Sequence, residues 1–166
     1  MYIVGIAGGS GSGKTTFSKK VIKHLNEENA VILHMDSYYL HNPPEHIFTN
    51  KGTPNFDHPH SFDWELLQQH IMELKNGRPI KTPIYDFKTN SRTEEHVEIG
   101  PCKLILFEGI FSLFDNSIRE MLDIKCFLHV HFERTQIPGF LRSKIQSSSI
   151  LGFKTCLASK TKDAIL

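Results

Sequence analysis

The chain has 166 residues, 39% hydrophobic and 22% charged, with a formal net charge of +1. That length suits one soluble globular domain burying about 70% of its unfolded surface. The near-neutral charge argues against nucleic acid or an anionic membrane as main partner, and no apolar run approaches the roughly 20 residues of a membrane span.

The N-terminus lacks a basic segment ahead of an apolar one, so it does not read as a secretory signal. Cys102, Cys126 and Cys156 are odd in number and widely spaced, which suits reduced thiols of a cytoplasmic protein better than a disulfide framework or a zinc site. Tyr2-Ile3-Val4-Gly5-Ile6-Ala7 reads as a short buried strand. Gly8-Gly9-Ser10-Gly11-Ser12-Gly13-Lys14-Thr15 follows, a complete GxxxxGK[ST] phosphate loop. From Thr16 to about Glu28 the pattern predicts an amphipathic helix, with Phe17, Val21 and Leu25 at helical spacing. The glycines let backbone N–H groups turn inward around a polyphosphate, and the helix N-terminus adds its positive dipole end. Lys14 reaches the β- and γ-phosphates in such loops, and the Thr15 hydroxyl ligates Mg²⁺. With Thr16, these residues are the candidate nucleotide-binding set. A Gly/Ser linker would not sit between a buried strand and an amphipathic helix.

Ala30 to Met35 reads as a second buried strand, ending at Asp36-Ser37-Tyr38-Tyr39. Residues 41–60, rich in Pro, His, Asn and Gly, read as a long functional or disordered loop. A helix is predicted from Phe62 to about Asn76, with Leu66, Leu67, His70, Ile71 and Leu74 on one side and Gly77 as its stop. Pro79 to Phe87 is extended, and a polar segment runs to Glu98. Lys103 to Phe107 is the clearest later strand, closed by Glu108-Gly109; a short helix over Ser117–Leu122 and a strand over Lys125–Val130 follow. Short apolar strands alternating with helices predict an α/β fold: a P-loop NTPase-type parallel sheet flanked by helices. Residues 1–130 read as one P-loop domain. Residues 131–166 carry six Lys/Arg, two Asp/Glu and no clean period, and read as a divergent, weakly structured tail with one short helix over Ile137–Ile145. The C-terminal edge of the sheet is incomplete if no last strand forms there.

In open α/β sheets, ligands bind beyond the carboxyl ends of the strands. Three strands deliver polar groups to that edge: the phosphate loop, Asp36 and Glu108. Phosphoryl transfer needs a donor cradle, a metal carboxylate and a base or orienting group for the acceptor. Glu108 suits the metal role with Thr15, while Asp36 suits the base role beside Lys14. The competing roles are a turn cap for Asp36 and a surface lysine pair for Glu108. His58-Pro59-His60 and His129-Val130-His131 have HxH spacing, but no further ligands complete a zinc set in sequence. Asn50-Lys51-Gly52-Thr53 lacks the Asp of a guanine-reading loop.

The matching pieces GIAGGSGSGKTT at 5–16, DSYY at 36–39, NFDHPHSFDWELL at 55–67, PIYDF at 83–87, SR at 91–92 and LFEGI at 106–110 make the chain resemble the uridine kinase (uridine–cytidine kinase) family over residues 1 to about 128. That resemblance implies ATP- or GTP-dependent, Mg²⁺-assisted phosphorylation of the ribose 5′-hydroxyl of uridine or cytidine, in cytoplasmic pyrimidine salvage. It implies that Asp36 is the base, that Tyr38 or Tyr39 shapes the acceptor pocket, and that Asp57 bonds the ribose hydroxyls with Phe56 beside it. It also implies that Tyr85 and Phe87 contact the pyrimidine and that Arg92 lines the nucleoside side. A flat base wants aromatic walls and a diol wants a carboxylate; core packing is the competing role for the aromatics. Family members often assemble as tetramers.

Two departures stand out. Asn90 occupies the place where the family carries a base-reading His. The arginine-rich lid segment of RR…RD…RGR type is not visible after residue 128, where only Arg134 and Arg142 remain. A frameshift or truncation near residues 128–132 would produce such a break, and translating the other two frames tests it. The sequence therefore leaves three functions open: a uridine/cytidine kinase, a catalytically impaired nucleotide-binding remnant, and a related P-loop kinase of another small alcohol.

Overall fold

A computed structural model describes residues 1–25, 29–41, 43–49, 52–130 and 154–159. β1 (Tyr2–Ala7) runs into the glycine-rich loop and α1 (Lys14–Leu25); β2 (Ala30–His34) runs into a 3₁₀ turn over Met35–Tyr38. α2 (Trp64–Lys75), β3 (Ile80–Asp86), β4 (Ser91–Ile99), β5 (Leu104–Gly109), α3 (Asn116–Met121), β6 (Ile124–Val130) and β7 (Lys154–Ser159) follow. The main sheet has the order β2-β5-β1-β6-β7. β2, β5, β1 and β6 are parallel, and β7 is antiparallel to β6. The predicted parallel α/β sheet is thus observed. β7 stands in the stretch read as weakly structured, and it pairs with β6, supplying a last strand at the edge that would be incomplete without one. The short helix expected over Ile137–Ile145 lies outside the described residues.

Alternation along the strands sorts the core into two faces. Ile6, Leu106, Cys126 and Leu128 point to the α1 side, where Phe17, Val21 and Ile22 cover them. Ile3, Leu33, Ile105 and Phe107 point to the other side, where Leu67, Ile71 and Leu74 of α2 and Ile118 of α3 pack. Each such fully buried side chain is worth about 1.5–3 kcal/mol. Leu25, predicted to share the α1 stripe, is 56% exposed. Eight helical residues carry it about 80° round from Phe17, and Ile22, partly buried, packs on that face instead.

α2 begins two residues later than predicted because Asp63 caps it, accepting from Leu66 N–H at 3.1 Å. Asp115 caps α3 in the same way, at 2.9 Å from Ile118 N–H. The polar segment after Phe87 is a strand, β4, paired antiparallel with β3 as a separate two-stranded sheet. Cys102 is a free thiol, whereas Cys126 is disulfide-bonded, so the three cysteines are not all reduced thiols. Among the described residues, no helix is long and apolar enough to cross a membrane.

Candidate active site

The chain leaves β1, passes over β5 to reach β2, and later returns through β5 and across β1 to β6. The carboxyl ends of β2, β5 and β1 therefore lie side by side, with His34 opposite Glu108 and Glu108 opposite Ile6. This is the crevice at which open α/β sheets hold ligands.

The phosphate loop turns tightly out of β1, with Ser12 N–H donating to Gly9 C=O at 3.1 Å. Gly8 must be glycine: a Cβ there would lie 2.5 Å from the Leu128 carbonyl oxygen and 2.8 Å from Ser12 Oγ. Lys14 Nζ donates to Gly9 C=O at 3.0 Å, folding the ammonium over the loop. Burial lowers the Lys14 pKa, opposed by the negative charges of Asp36 and Glu108. Ser12 Oγ is buried and finds no hydrogen-bond partner among the described residues.

Glu108, 4% exposed at the end of β5, accepts on one oxygen, Oε1. Thr15 Oγ1 donates to it at 2.7 Å and His34 Nδ1 lies at 2.7 Å. Burial pushes the Glu108 carboxyl up, but the bonds from His34 and Thr15 and the charges of His34 and Lys14 outweigh burial and leave it lowered. An ionised carboxylate can only accept, so His34 Nδ1 carries the donated proton. Thr15 spends its hydroxyl proton on Glu108 and keeps its oxygen lone pairs for a cation. Glu108 Oε2 is buried without a hydrogen-bond partner among the described residues. An orphaned carboxylate oxygen beside a hydroxyl with free lone pairs is a donor set for a hard divalent ion such as Mg²⁺. Among the described residues Glu108 pairs with His34 and with no surface lysine, the competing role considered for it.

Asp36 sits in the Met35–Tyr38 turn. Desolvation raises its pKa; Lys14 lowers it, Glu108 raises it and His34 lowers it. The three predicted strand-end groups therefore act on one another. Gly109 permits that approach, since a Cβ there would lie 2.4 Å from Met35 Cβ and 2.8 Å from its Sδ.

Beyond Asp36 the predicted acceptor residues divide. Tyr39 stacks on Phe62 at 4.2 Å between ring centroids and meets Phe56 at 5.0 Å, Tyr85 at 5.3 Å and Phe87 at 5.8 Å. Phe87, 55% exposed, is the most open ring of this wall, while Tyr85 is 8% exposed. Tyr38 points elsewhere: it is fully buried, and its hydroxyl shares a 2.8 Å hydrogen bond with His70 Nδ1 under α2. Of the two tyrosines left open by the sequence, Tyr39 joins the wall. Asp57 is exposed, and its backbone N–H donates to Asn55 Oδ1 at 3.1 Å. Its carboxylate has no hydrogen-bond partner among the described residues, and its charge helps raise the Tyr39 pKa after burial and Asp36. Asn90 lies in the exposed β3–β4 turn at φ 53°, a conformation Asn tolerates better than most residues.

Arg92, expected on the nucleoside side, bonds protein groups on three sides. Its guanidinium donates to Tyr39 C=O at 2.9 Å, Tyr38 C=O at 3.1 Å and Asp63 Oδ2 at 2.9 Å. It ties β4 and the α2 cap to the turn that carries Asp36. Asp63 was missed as a site-building residue; the signal was an Asp directly before the Trp64-Glu65-Leu66-Leu67 run. Phe62 was read only as a helix start. His46 joins the predicted His58-Pro59-His60 pair, with His46 Nε2 3.0 Å from His60 Nδ1. No group of three His, Cys, Asp or Glu among the described residues is arranged to hold a metal ion.

Comparison with known proteins decides the family. The model of the phosphoribulokinase/uridine kinase family matches residues 3–136. The chain belongs to the phosphoribulokinase/uridine kinase family. It is 42% identical over 127 residues to uridine-cytidine kinase B of Dictyostelium discoideum, covering 76% of this chain and 52% of that protein. It is 39% identical over 127 residues to the uridine kinase of Staphylococcus epidermidis strain RP62A, covering 76% of this chain and 60% of that protein. The chain thus spans between half and two thirds of these relatives. The fold is shared with a possible uridine kinase from Bacillus stearothermophilus (TM-score 0.63, 24% identity, 78% of this chain and 71% of that one). It is also shared with phosphoribulokinase from Rhodobacter spheroides (TM-score 0.56, 16% identity, 76% and 50%).

Proposed function

We propose that this chain carries the donor and acceptor sites of an ATP- or GTP-dependent kinase that phosphorylates the 5′-hydroxyl of uridine or cytidine. The observation that carries this reading is the meeting of Lys14, Asp36 and Glu108 at three adjacent strand ends, with the aromatic wall around Tyr39 built on from the Asp36 turn. The phosphate loop, Gly8 to Thr16, binds the donor, and Lys14 offsets phosphate charge. Asp36, whose pKa is raised by burial, takes up the acceptor hydroxyl proton; such a base contributes about 10²–10⁴ in rate. Tyr39, Phe56, Tyr85 and Phe87 wall the pyrimidine, Asp57 accepts from the ribose hydroxyls, and Asn90 offers a donor and an acceptor from the hairpin turn. Arg92 acts through the Asp36–Tyr39 backbone. Thr15 and Glu108 would hold Mg²⁺, which supplies charge neutralisation on the phosphates when bound.

In this reading residues 1–130 are the kinase domain, residues 131–166 are its divergent tail, and the setting is cytoplasmic pyrimidine salvage. The partners are small molecules, neither nucleic acid nor membrane, with a family-type tetramer as the oligomer to test. A second reading, a nucleotide-binding remnant without full turnover, is favoured by one observation. Residues 131–166 contain no arginine-rich segment of the RR…RD…RGR kind, and arginines acting on the transferred phosphoryl are worth about 10³–10⁵ in rate. The test is ADP release with Mg²⁺ and ATP, comparing uridine, cytidine and small alcohols, with Lys14→Ala as control. Uridine- or cytidine-dependent release that vanishes in the control supports the first reading. Nucleotide binding without it supports the second, and release with another alcohol overturns the acceptor assignment.

A further inference from the structure

We propose that His34 is a positioning residue for the cation–phosphate site: it holds Glu108 by Oε1 and thereby turns Oε2 toward the ion. The inference rests on the phosphoryl-transfer reading above. His34 and Glu108 are register partners on the adjacent parallel strands β2 and β5, so the pleat sends both side chains to the same, α1-facing side of the sheet. His34 Nδ1 lies 2.7 Å from Glu108 Oε1, and Thr15 Oγ1 donates to that oxygen at 2.7 Å. Two donors on one oxygen fix the carboxylate plane and leave Oε2 as the buried atom without a partner among the described residues. Leaving such an atom unpaired is costly, and a cation at Oε2 relieves that cost.

Packing does not account for His34, because its side chain is 46% exposed while Glu108 is 5% exposed. An exposed residue whose ring is directed onto a buried carboxylate contributes through that bond. Thr15 alone would still let the Glu108 carboxylate swing about its single bond. His34 supplies the second point that fixes it, from the last residue of a strand that runs on into the turn holding Asp36. Partners that orient metal-binding groups typically govern affinity by about 10–100-fold.

The experiment measures binding of a fluorescent ADP analogue to the full chain as Mg²⁺ is titrated, for wild type, His34→Ala and His34→Asn. Asn places an amide N–H near the position of Nδ1. Loss of the donor in His34→Ala is expected to raise the Mg²⁺ midpoint about ten-fold or more, and His34→Asn to restore it to within about two-fold of wild type. Analogue affinity in EDTA is expected to be equal in all three. An unchanged midpoint in His34→Ala overturns the inference while leaving the kinase reading intact. An equal loss in Ala and Asn also overturns it, since a donor at that point would not be what matters. A wild type whose nucleotide binding ignores Mg²⁺ refutes the phosphoryl-transfer reading and this inference together. Thermal melts of the same samples show that each variant is folded, and His34→Leu, which also lacks the donor, replaces Ala if that variant melts early, with the same rise in the Mg²⁺ midpoint expected.

Discussion

Replacing Arg92 by Met separates two roles for this residue. The substitution keeps much of the aliphatic stem and removes three hydrogen bonds, to the carbonyls of Tyr38 and Tyr39 and to Asp63 Oδ2. The Arg92 and Asp63 side chains are 22% and 24% exposed, so the pair is mostly but not wholly out of water. Breaking a fully buried pair costs about 3–5 kcal/mol, and the partial exposure here brings the expectation to about 2–3 kcal/mol. Tyr38 C=O retains its bond from Asp63 N–H at 2.9 Å, which keeps the loss from running higher. For a chain of this size each kcal/mol shifts Tm by about 2–4 °C, so Tm is expected to fall by about 4–12 °C. Because the released turn carries Asp36 and Tyr39, the acceptor KM rises and kcat falls, while affinity for the nucleotide donor stays near wild type. Thermal melting and steady-state kinetics on one preparation test this. A rise in acceptor KM with Tm within about 2 °C of wild type would refute the clamp; it would return Arg92 to direct contact with the nucleoside.

Burial raises the Asp36 pKa above its ordinary 3.8, so the ionised form is disfavoured by the fold. The protonated state adds stability below the ordinary value, and that contribution is lost as pH rises through the raised one. Asp36→Asn is therefore expected to melt higher than wild type near pH 7 and not below pH about 3, while losing turnover; an equal or lower Tm at neutral pH contradicts the assignment. Phe87→Ala removes a ring that is 55% exposed, so stability changes by less than about 0.5 kcal/mol. The acceptor KM rises about ten-fold, in line with about 1–3 kcal/mol for aromatic stacking on a base. Tyr38→Phe does the reverse, costing about 1 kcal/mol in a denaturation curve through the lost His70 bond and leaving acceptor KM unchanged. Gly109→Ala drives a Cβ into Met35, which is expected to cost about 1–3 kcal/mol and lower kcat by displacing the Asp36 turn, with unchanged nucleotide affinity in a titration.

What was readable in the chain was what depends on local spacing. The phosphate loop needs a run of glycines between a strand and a helix, and the parallel strands announce themselves as continuous apolar runs ending in Asp36 and Glu108. β4 was unreadable because its six central residues, Thr93 to Glu98, are exposed. A strand with neither face buried shows no alternation, and only its pairing with β3 makes it one. The direction of Tyr38 and the clamp made by Arg92 depend on contacts 32 and 54 positions away, through His70 and the carbonyl of Tyr38. No pattern along the chain encodes them. His34 was read as the tail of a strand, since its meaning comes from register with Glu108, a pairing fixed only when β5 inserts between β1 and β2.

On the proposed function, one crevice joins a nucleoside triphosphate to a pyrimidine nucleoside. Incubating the full chain with γ-labelled ATP, Mg²⁺ and uridine, and following the label by mass spectrometry, tests it most directly. Label is expected in uridine 5′-monophosphate, in equal amount to ADP, and none with Asp36→Asn. Folded, nucleotide-binding protein that yields no labelled nucleoside phosphate, from uridine or from cytidine, would contradict it.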